Sequence, residues 1–328
     1  MNTSPHLPSP RFSVLITSYR SLRYLQDCVG SVLQSTGPSF EVLFLENGSP
    51  EPEADYLEKN FPDARLKIFR VPDTRYFAAG INYLAKHARG EYLVLLNSDT
   101  RAEPEWLQVF DDYLRTSGFE AAQADLRDGH NPSQRESLGY RLDRLGFTMH
   151  NAEEAMVPSG RIFCARGAAF AVRRDVFEQL DGLDENYRMY FEETDLCWRI
   201  NLLGHRIGYA PGSIVYHMGG GSARKSFFNW TRFRFIRNRI VSLFKNYGPA
   251  WLVLYLPLHI LLCIASGLGQ LLRGRPREAL AEELGVAAAI LLLPTAIGRR
   301  AKIQSQRTVS DRDLVRQGLI ARFKYLGG

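Results

Sequence analysis

An α/β domain with a mostly parallel sheet flanked by helices, followed by a helical membrane-associating region, is the fold class that the sequence predicts. Three observations predict it. Apolar runs of strand length alternate with stretches of helical periodicity up to about residue 100. Polar clusters follow several of those runs. Past residue 222 the texture becomes basic and aromatic, then continuously apolar.

The opening residues, MNTSPHLPSP (1–10), lack the charged-then-apolar layout of a secretory leader and read as a disordered lead-in. RFSVLITSYR gives a first strand over Phe12–Thr17. In SLRYLQDCVGSVLQST, Leu22, Leu25, Val29, Val32 and Leu33 recur at three- and four-residue spacing, an amphipathic helix. FEVLFLENGS is a second strand ending in a polar turn, ADYLEKNFP a helix stopped by Pro62, and RLKIFRVP a third strand. AAGINYLAKHARG reads as a helix ended by Gly90, and Tyr92–Leu96 as a fourth strand. Strand and helix in alternation imply parallel pairing through right-handed crossovers. DTRAEPEW then admits two readings: a helix capped by Asp99 or Thr100, or a carboxylate delivered to the sheet edge where ligands sit. Residues 118–160 are irregular and read as loops over a site or as solvated connections. A strand (Ala168–Val172), a helix (Arg174–Leu180) and a Gly-Leu-Asp turn follow. FEETDLCWRINLLGHRIGYAPGSIVYHMGGGS closes this part as helix, strand and polar loop.

With 45% apolar and 23% charged residues, the 328-residue chain has the composition of a globular protein. Its four cysteines are far apart with no C-x-x-C pair, which argues against a zinc ribbon or a disulfide framework and suits a reducing compartment. Charge divides sharply. Residues 1–220 carry 23 Lys/Arg against 30 Asp/Glu, and residues 221–328 carry 18 against 5. A basic tail calls for an anionic partner, either nucleic acid or a membrane surface. Within it, RKSFFNWTRFRFIRNRIVSLFKNYG interleaves seven aromatic with seven basic side chains. The following PAWLVLYLPLHILLCIASGLGQLL is 24 residues without a formal charge, enough for the ~20 residues of a spanning helix. GVAAAILLLPTAI, at 13 residues, is short for a span. Pro257, His259 and Gln270 keep buried core helices in play. The aromatic and basic flanks favour the membrane, as a full span, a re-entrant or an interfacial segment.

Four polar clusters punctuate the first 220 residues: Thr17 to Arg20, Glu46 to Ser49, Asn97 to Asp99, and the three carboxylates Glu192, Glu193 and Asp195. Each alone is a turn or a helix cap. Four in register at one sheet edge would make a site. No G-x-G-x-x-G follows the first strand, where TSYRSL stands instead, which argues against a dinucleotide-dependent oxidoreductase.

The order VLITSYR…FEVLFLENGS…YFAAGIN…YLVLLNSDT…GAAFAVRRDVFEQLDGLDENYRMYFEETDLCWRI…GYAPGSIVYHMGGGS resembles glycosyltransferase family 2, an inverting family with the GT-A fold. It is most similar to bacterial rhamnosyltransferase-like members that build cell-surface polysaccharides. The resemblance covers roughly residues 11–245 and is most specific from Gly167 to Arg199. It implies a GT-A catalytic domain over 11–222, with a nucleotide-binding half (11–100) and an acceptor-binding half (101–222), and a membrane-associating region over 223–328.

By position, the resemblance places Glu46 where the family usually has an Asp that binds the base or ribose. Thr17, Tyr19 and Asn47 join it, and the longer Glu leaves base preference open. Arg75, Gly80 and Asn82 fall in the loop that closes around the diphosphate. Asn97-Ser98-Asp99 is similar to the family's D-x-D motif: Asp99 keeps the metal-contacting carboxylate, while Asn97 keeps only an amide carbonyl. His217 matches a second metal ligand, so Mn²⁺ or Mg²⁺ is the implied cofactor, and the imidazole favours Mn²⁺. Glu193 matches the catalytic base that activates the acceptor hydroxyl, with Asp195 the second choice or an orienter. Like-charge repulsion from Glu192 and Asp195 would raise its pKa. Glu192, Trp198 and Arg199 are placed on the acceptor side, with packing the other role open to Trp198.

The implied partners are a nucleotide-diphosphate sugar, a saccharide or polyprenyl-linked saccharide acceptor, and an anionic membrane surface. The donor nearest by similarity is rhamnose on deoxythymidine diphosphate, at the cytoplasmic face of a bacterial membrane. Two rivals remain. A nucleic-acid-binding protein would use Phe227–Tyr247, although a solvated arm has no use for the apolar run beside it. A non-catalytic GT-A scaffold would account for the departures at Glu46 and Asn97.

Overall fold

The computed structural model describes residues 9–151, 160–219 and 228–321. Most of the expected lead-in, the GGGS loop after Gly219 and the first basic residues of the tail lie outside them. The chain runs β1 (Phe12–Ser18), α1 (Leu22–Leu33), β2 (Phe40–Asn47), α2 (Glu53–Asn60), β3 (Leu66–Val71), α3 (Tyr76–Ala85), β4 (Tyr92–Asn97), β5 (Thr100–Ala102), α4 (Trp106–Ser117) and β6 (Ala121–Asp128). It continues through β7 (Arg135–Ser137), β8 (Tyr140–Asp143), β9 (Thr148–His150), β10 (Arg161–Ile162), β11 (Ala169–Arg173), α5 (Arg174–Gln179), α6 (Glu192–Leu202) and β12 (Ile207–His217). The last elements are α7 (Trp230–Asn246), α8 (Pro249–Leu272), α9 (Pro276–Gln306), α10 (Asp311–Arg316) and β13 (Ile320–Ala321). Contacts divide the chain into two units. One holds residues 1–137, 166–182 and 208–222; the other holds 138–165, 183–207 and 223–328.

In the first unit β3, β2, β1 and β4 pair in parallel, in that order. Their continuous apolar runs are what a sheet covered on both faces requires. Helix α1 turns Leu25, Cys28, Val29 and Val32 inward, as its periodicity predicts. Beyond β4 come β11, antiparallel to it, then β6, antiparallel to β11, then β12. Strand β6 was expected as irregular chain. Its buried polar Gln123 and Asp125 break the apolar run that announces a strand. Helix α3 ends at Ala85, five residues before Gly90, and Asp99 caps no helix: Thr100–Ala102 pairs with Val215–His217 instead.

Register brings three of the four polar clusters to one edge. Thr17 lies beside Asn97, and Ser18 beside Glu46. The fourth cluster opens α6, a helix, and leaves no strand of this sheet.

The second unit packs α7 against α9 and α8, with α6 on α7 and a small sheet in the order β13-β8-β9. The 13-residue apolar run expected to be too short for a span lies within the 31 residues of α9. Helices α8 and α9 are both long and apolar enough to cross a membrane, with mean hydropathies of 2.0 and 1.8 over an 18-residue stretch of each. Pro257 and Pro294 sit inside them on exposed positions, where a missing backbone donor disturbs no packed neighbour.

Candidate active site

The C-terminal ends of β4 and β12 carry Asp99 and His217. Pairing of β5 with β12 brings them together: Met218 donates its backbone N–H to the Asp99 carbonyl at 2.9 Å. The His217 Nε2 lies 3.3 Å from Asp99 Oδ1 and 3.4 Å from the Asn97 amide nitrogen. On its other side Nδ1 lies 2.9 Å from Glu136 Oε1, and that carboxylate is paired with Arg166 at 2.8 Å. Burial works against a charge on this imidazole, but the bonds to Asp99 and Glu136 outweigh it and raise the His217 pKa to about 9.

This donor set fits a hard divalent cation. Two donors 3.3 Å apart are spaced as neighbouring ligands of one ion. A bound cation would displace the Nε2 proton that otherwise faces Asp99, leaving Nδ1–H donating to Glu136 and the Nε2 lone pair free to ligate. The carboxylate behind the histidine is the arrangement that orients metal-bound imidazoles. Among the described residues no cluster of three or more His, Cys, Asp or Glu is placed to hold a metal. A cation here would therefore take its remaining ligands from a diphosphate and water, as Mg²⁺ and its relatives do in phosphoryl sites. Glu136 and Arg166 escaped the sequence reading because their segments carry no periodic pattern.

The other expected donor-binding residues divide by role. Thr17 Oγ1 is buried at this edge with no hydrogen-bond partner among the described residues, unlike most buried hydroxyls. Tyr19 is exposed beside it in sequence. Glu46 spends one oxygen on the Ala54 N–H at the start of α2, 2.8 Å away, so at least half of its carboxylate works as a helix cap. Asn47 is a positioning residue: its Oδ1 accepts from the Arg75 N–H at 2.8 Å and its Nδ2 donates to the Tyr76 carbonyl at 3.1 Å. It thereby pins the loop carrying exposed Arg75, whose guanidinium lies over Tyr83. Gly48, at φ +66°, has the loop backbone of Asp73 and Thr74 packed where a Cβ would stand. Gly80 is needed for a close approach, but to protein: a Cβ there would lie 2.7 Å from Thr17 Oγ1. Asn82 packs against the Gly182 turn, and Ser98 Oγ donates to Ser21 Oγ at 3.0 Å.

In the second unit α6 begins after a strained turn. Arg188, Tyr190 and Phe191 all have positive φ, 62°, 70° and 75°, a region that side chains disfavour. The Asn238 amide of α7 holds this turn by donating to the carbonyls of Tyr187, Met189 and Tyr190. Of the eleven residues of α6, ten are buried and Glu193 alone keeps solvent access. Burial, with Glu193 adjacent, pushes the Glu192 carboxyl well above the ordinary range.

With Glu192, three more of the expected acceptor-side or catalytic residues belong instead to the interior. Trp198 is fully buried, edge-on to Phe163 and Tyr247. Asp195 accepts from Arg199 Nε at 2.8 Å, Lys245 Nζ at 3.0 Å, Asn246 Nδ2 at 2.9 Å and the Tyr187 hydroxyl at 3.2 Å, filling its lone pairs. Despite complete burial, Lys245 and Arg199 hold its carboxyl well below the usual range. A carboxylate so satisfied has no lone pair for a substrate proton, and Arg199, committed to it, has no exposed surface for an acceptor.

Residues 10–235 match the sequence model of the family described as glycosyltransferase like family 2. The chain is 27% identical over 231 residues to the O-antigen biosynthesis protein RfbC of Myxococcus xanthus, covering 66% of this chain and 18% of RfbC. It is 26% identical over 174 residues to the rhamnosyltransferase WbbL of Escherichia coli K12, covering 47% of this chain and 65% of WbbL. It thus spans less than two thirds of either relative. Among solved structures, the mannosyltransferase PcManGT from Pyrobaculum calidifontis, in complex with GDP-Man and Mn²⁺, superposes with a TM-score of 0.56 at 17% identity. That alignment covers 91% of this chain and 86% of PcManGT, and likeness of this kind establishes the GT-A architecture. The chain belongs to glycosyltransferase family 2.

Proposed function

We propose that this chain moves one sugar from a nucleoside-diphosphate donor to a hydroxyl of a saccharide or polyprenyl-linked saccharide, inverting the anomeric centre, in cell-surface polysaccharide synthesis. The observation that carries the donor half is the Asp99–His217 pair 3.3 Å apart, backed by Glu136, at the carboxyl edge of the parallel strands. Asp99 and His217 would hold Mn²⁺ or Mg²⁺. When bound, such an ion supplies positive charge against the pyrophosphate that receives the leaving electron pair.

Glu193 takes the acceptor proton. The freed oxygen forms a bond to the anomeric carbon as the bond to the β-phosphate oxygen breaks, and the nucleoside diphosphate leaves with that electron pair. What supports Glu193 over its neighbours is access: Glu192 is buried, and Asp195 is spent on Lys245 and Arg199. Rhamnose on deoxythymidine diphosphate is the proposed donor, supported by likeness to a rhamnosyltransferase.

The setting proposed is the cytoplasmic face of a bacterial membrane. Free, buried cysteines and two strongly apolar helices support it. Nucleic acid is a poorer partner, because the basic α7 commits Arg232 to Glu282, Arg237 to backbone carbonyls and Lys245 to Asp184.

A thermal-shift panel of dTDP-, UDP- and GDP-sugars with and without Mn²⁺ tests the donor class, since a ligand of the native state raises its melting point. A Mn²⁺-dependent rise for at least one sugar nucleotide is expected; none for any would reject the reading. Glu136→Gln should weaken Mn²⁺ binding about 10–100-fold by loosening the orientation of His217, measured by titration in the presence of nucleoside diphosphate. Unchanged affinity would leave Glu136 without this role.

A further inference from the structure

Helices α8 and α9 invert the polarity of a soluble surface. Their exposed stripes are apolar: Leu254, Leu258, Leu261, Leu268 and Leu272 on α8, and Leu284, Ile290, Leu291 and Ile297 on α9. Leu261 is 62% and Leu291 78% exposed. Their buried stripes hold the polar groups, His259 and Gln270 on α8 and Glu282 on α9. An exposed apolar band of this extent marks an interaction surface.

The flank facing the protein decides how that surface meets its partner. Helix α9 runs beside α7 for nearly all of the latter. Arg232 pairs with Glu282 near the amino end of α7, at 2.6 Å. At its carboxyl end, Arg300 donates to the carbonyls of Phe244 and Tyr247, and Gln304 to that of Lys245 at 3.0 Å. Helix α8 joins the same flank through Arg239, which donates to His259 at 3.2 Å. From Glu282 to Gln304 is about 33 Å of helix, slightly more than the ~30 Å thickness of a bilayer core. Were α9 to span, α7 would cross with it, carrying Arg234, Arg237 and Arg239, which lie between those two contacts, through hydrocarbon. Intramembrane charges are expensive and scarce. The charges at the helix ends agree: Arg273, Arg275 and Arg277 are exposed at the α8–α9 turn, and Arg299 and Lys302 at the far end of α9. Both ends are basic, so neither has the one-sided excess that marks a spanning hairpin.

We infer that α8 and α9 lie flat in one leaflet, their apolar stripes among the acyl chains and the arginines at both ends on anionic headgroups. This rests on the membrane-associated setting proposed above and specifies its topology. The arrangement is that of an interfacial amphipathic helix pair, with apolar burial and headgroup attraction acting together.

The test uses the full chain added to preformed vesicles of phosphatidylcholine, with and without phosphatidylglycerol. Nitroxide labels are placed one at a time at Leu254→Cys, Leu261→Cys and Leu268→Cys, and their depths read from collisional access to oxygen and to a soluble nickel chelate. The four native cysteines are buried, which keeps background labelling low. In-plane helices put all three labels at one shallow depth, with tighter binding to the anionic vesicles. Leu261→Glu combined with Leu291→Glu should cut vesicle binding at least about tenfold. Labels whose depth changes progressively along α8 toward the bilayer centre would overturn the in-plane inference while leaving membrane association standing. No vesicle binding with either lipid would overturn both.

Discussion

Replacing Glu193 with Gln is expected to cut sugar transfer by about 10²–10⁴-fold, the range that a positioned general base contributes. Gln keeps the shape and hydrogen-bonding reach of Glu but accepts no proton at neutral pH. Donor affinity should stay near that of the native chain, because the donor-binding loops belong to the first unit and Glu193 to the second. Single-turnover transfer assays separate the two quantities. Near-normal turnover would reject Glu193 as the base, whereas matched losses in binding and rate would point to a structural role.

The largest effect on stability is expected at Lys245→Met. Lys245 is buried between Asp184, at 2.7 Å, and Asp195, at 3.0 Å. Removing one partner of a buried ion pair costs about 3–5 kcal/mol, because the remaining charge is left uncompensated. Urea unfolding followed by tryptophan fluorescence should show it, Trp198 being packed beside Tyr247, two residues after Lys245 and just past the end of α7. An unchanged midpoint would mean that these charges are compensated elsewhere.

The same contact governs acid stability. The folded pKa of Asp195 lies below its unfolded value of about 3.9, so its contribution is complete above that pH and is lost as the pH falls below it. Without Lys245 the folded value rises, and the variant should lose less stability than the native chain between neutral and acid pH. One consequence concerns the tail. Helix α7 belongs to the interior that supports α6, so removing residues 223–328 is expected to abolish the proposed sugar transfer and not to release a soluble active fragment, as transfer assays on the truncated chain would show.

Much of the sheet was legible because parallel strands buried on both faces read as unbroken apolar runs, and β1, β2 and β4 are such runs. Strand β6 was not, since Gln123 and Asp125 make it look like a loop. With β6 went the neighbouring β7 and Glu136, the carboxylate behind His217. Asp99 and His217 were legible only through their motifs, 118 positions apart in the sequence. Spacing alone does not bring them together; the β5–β12 ladder does.

The acidic cluster misled in the opposite direction. Three carboxylates in four positions look like one site, but in α6 they separate. Glu192 and Asp195, three residues apart, are both buried, and Glu193 alone keeps solvent access. Trp198 and Arg199 shared the motif for reasons of packing. Composition identified the apolar tail, whereas its polar contacts with α7, an Arg232–Glu282 ion pair and an Arg239–His259 hydrogen bond, are tertiary facts that no hydropathy window contains.

The central claim is that Asp99 and His217 hold a divalent cation against the donor diphosphate. Calorimetric titration of a nucleoside diphosphate, with and without Mn²⁺, into the native chain, Asp99→Ala and His217→Ala tests it most directly, with Glu193→Gln as a control. The account predicts that Mn²⁺ tightens binding to the native chain and to Glu193→Gln at least about tenfold, and that both ligand variants lose this gain. An undiminished Mn²⁺ gain in Asp99→Ala and His217→Ala would contradict it.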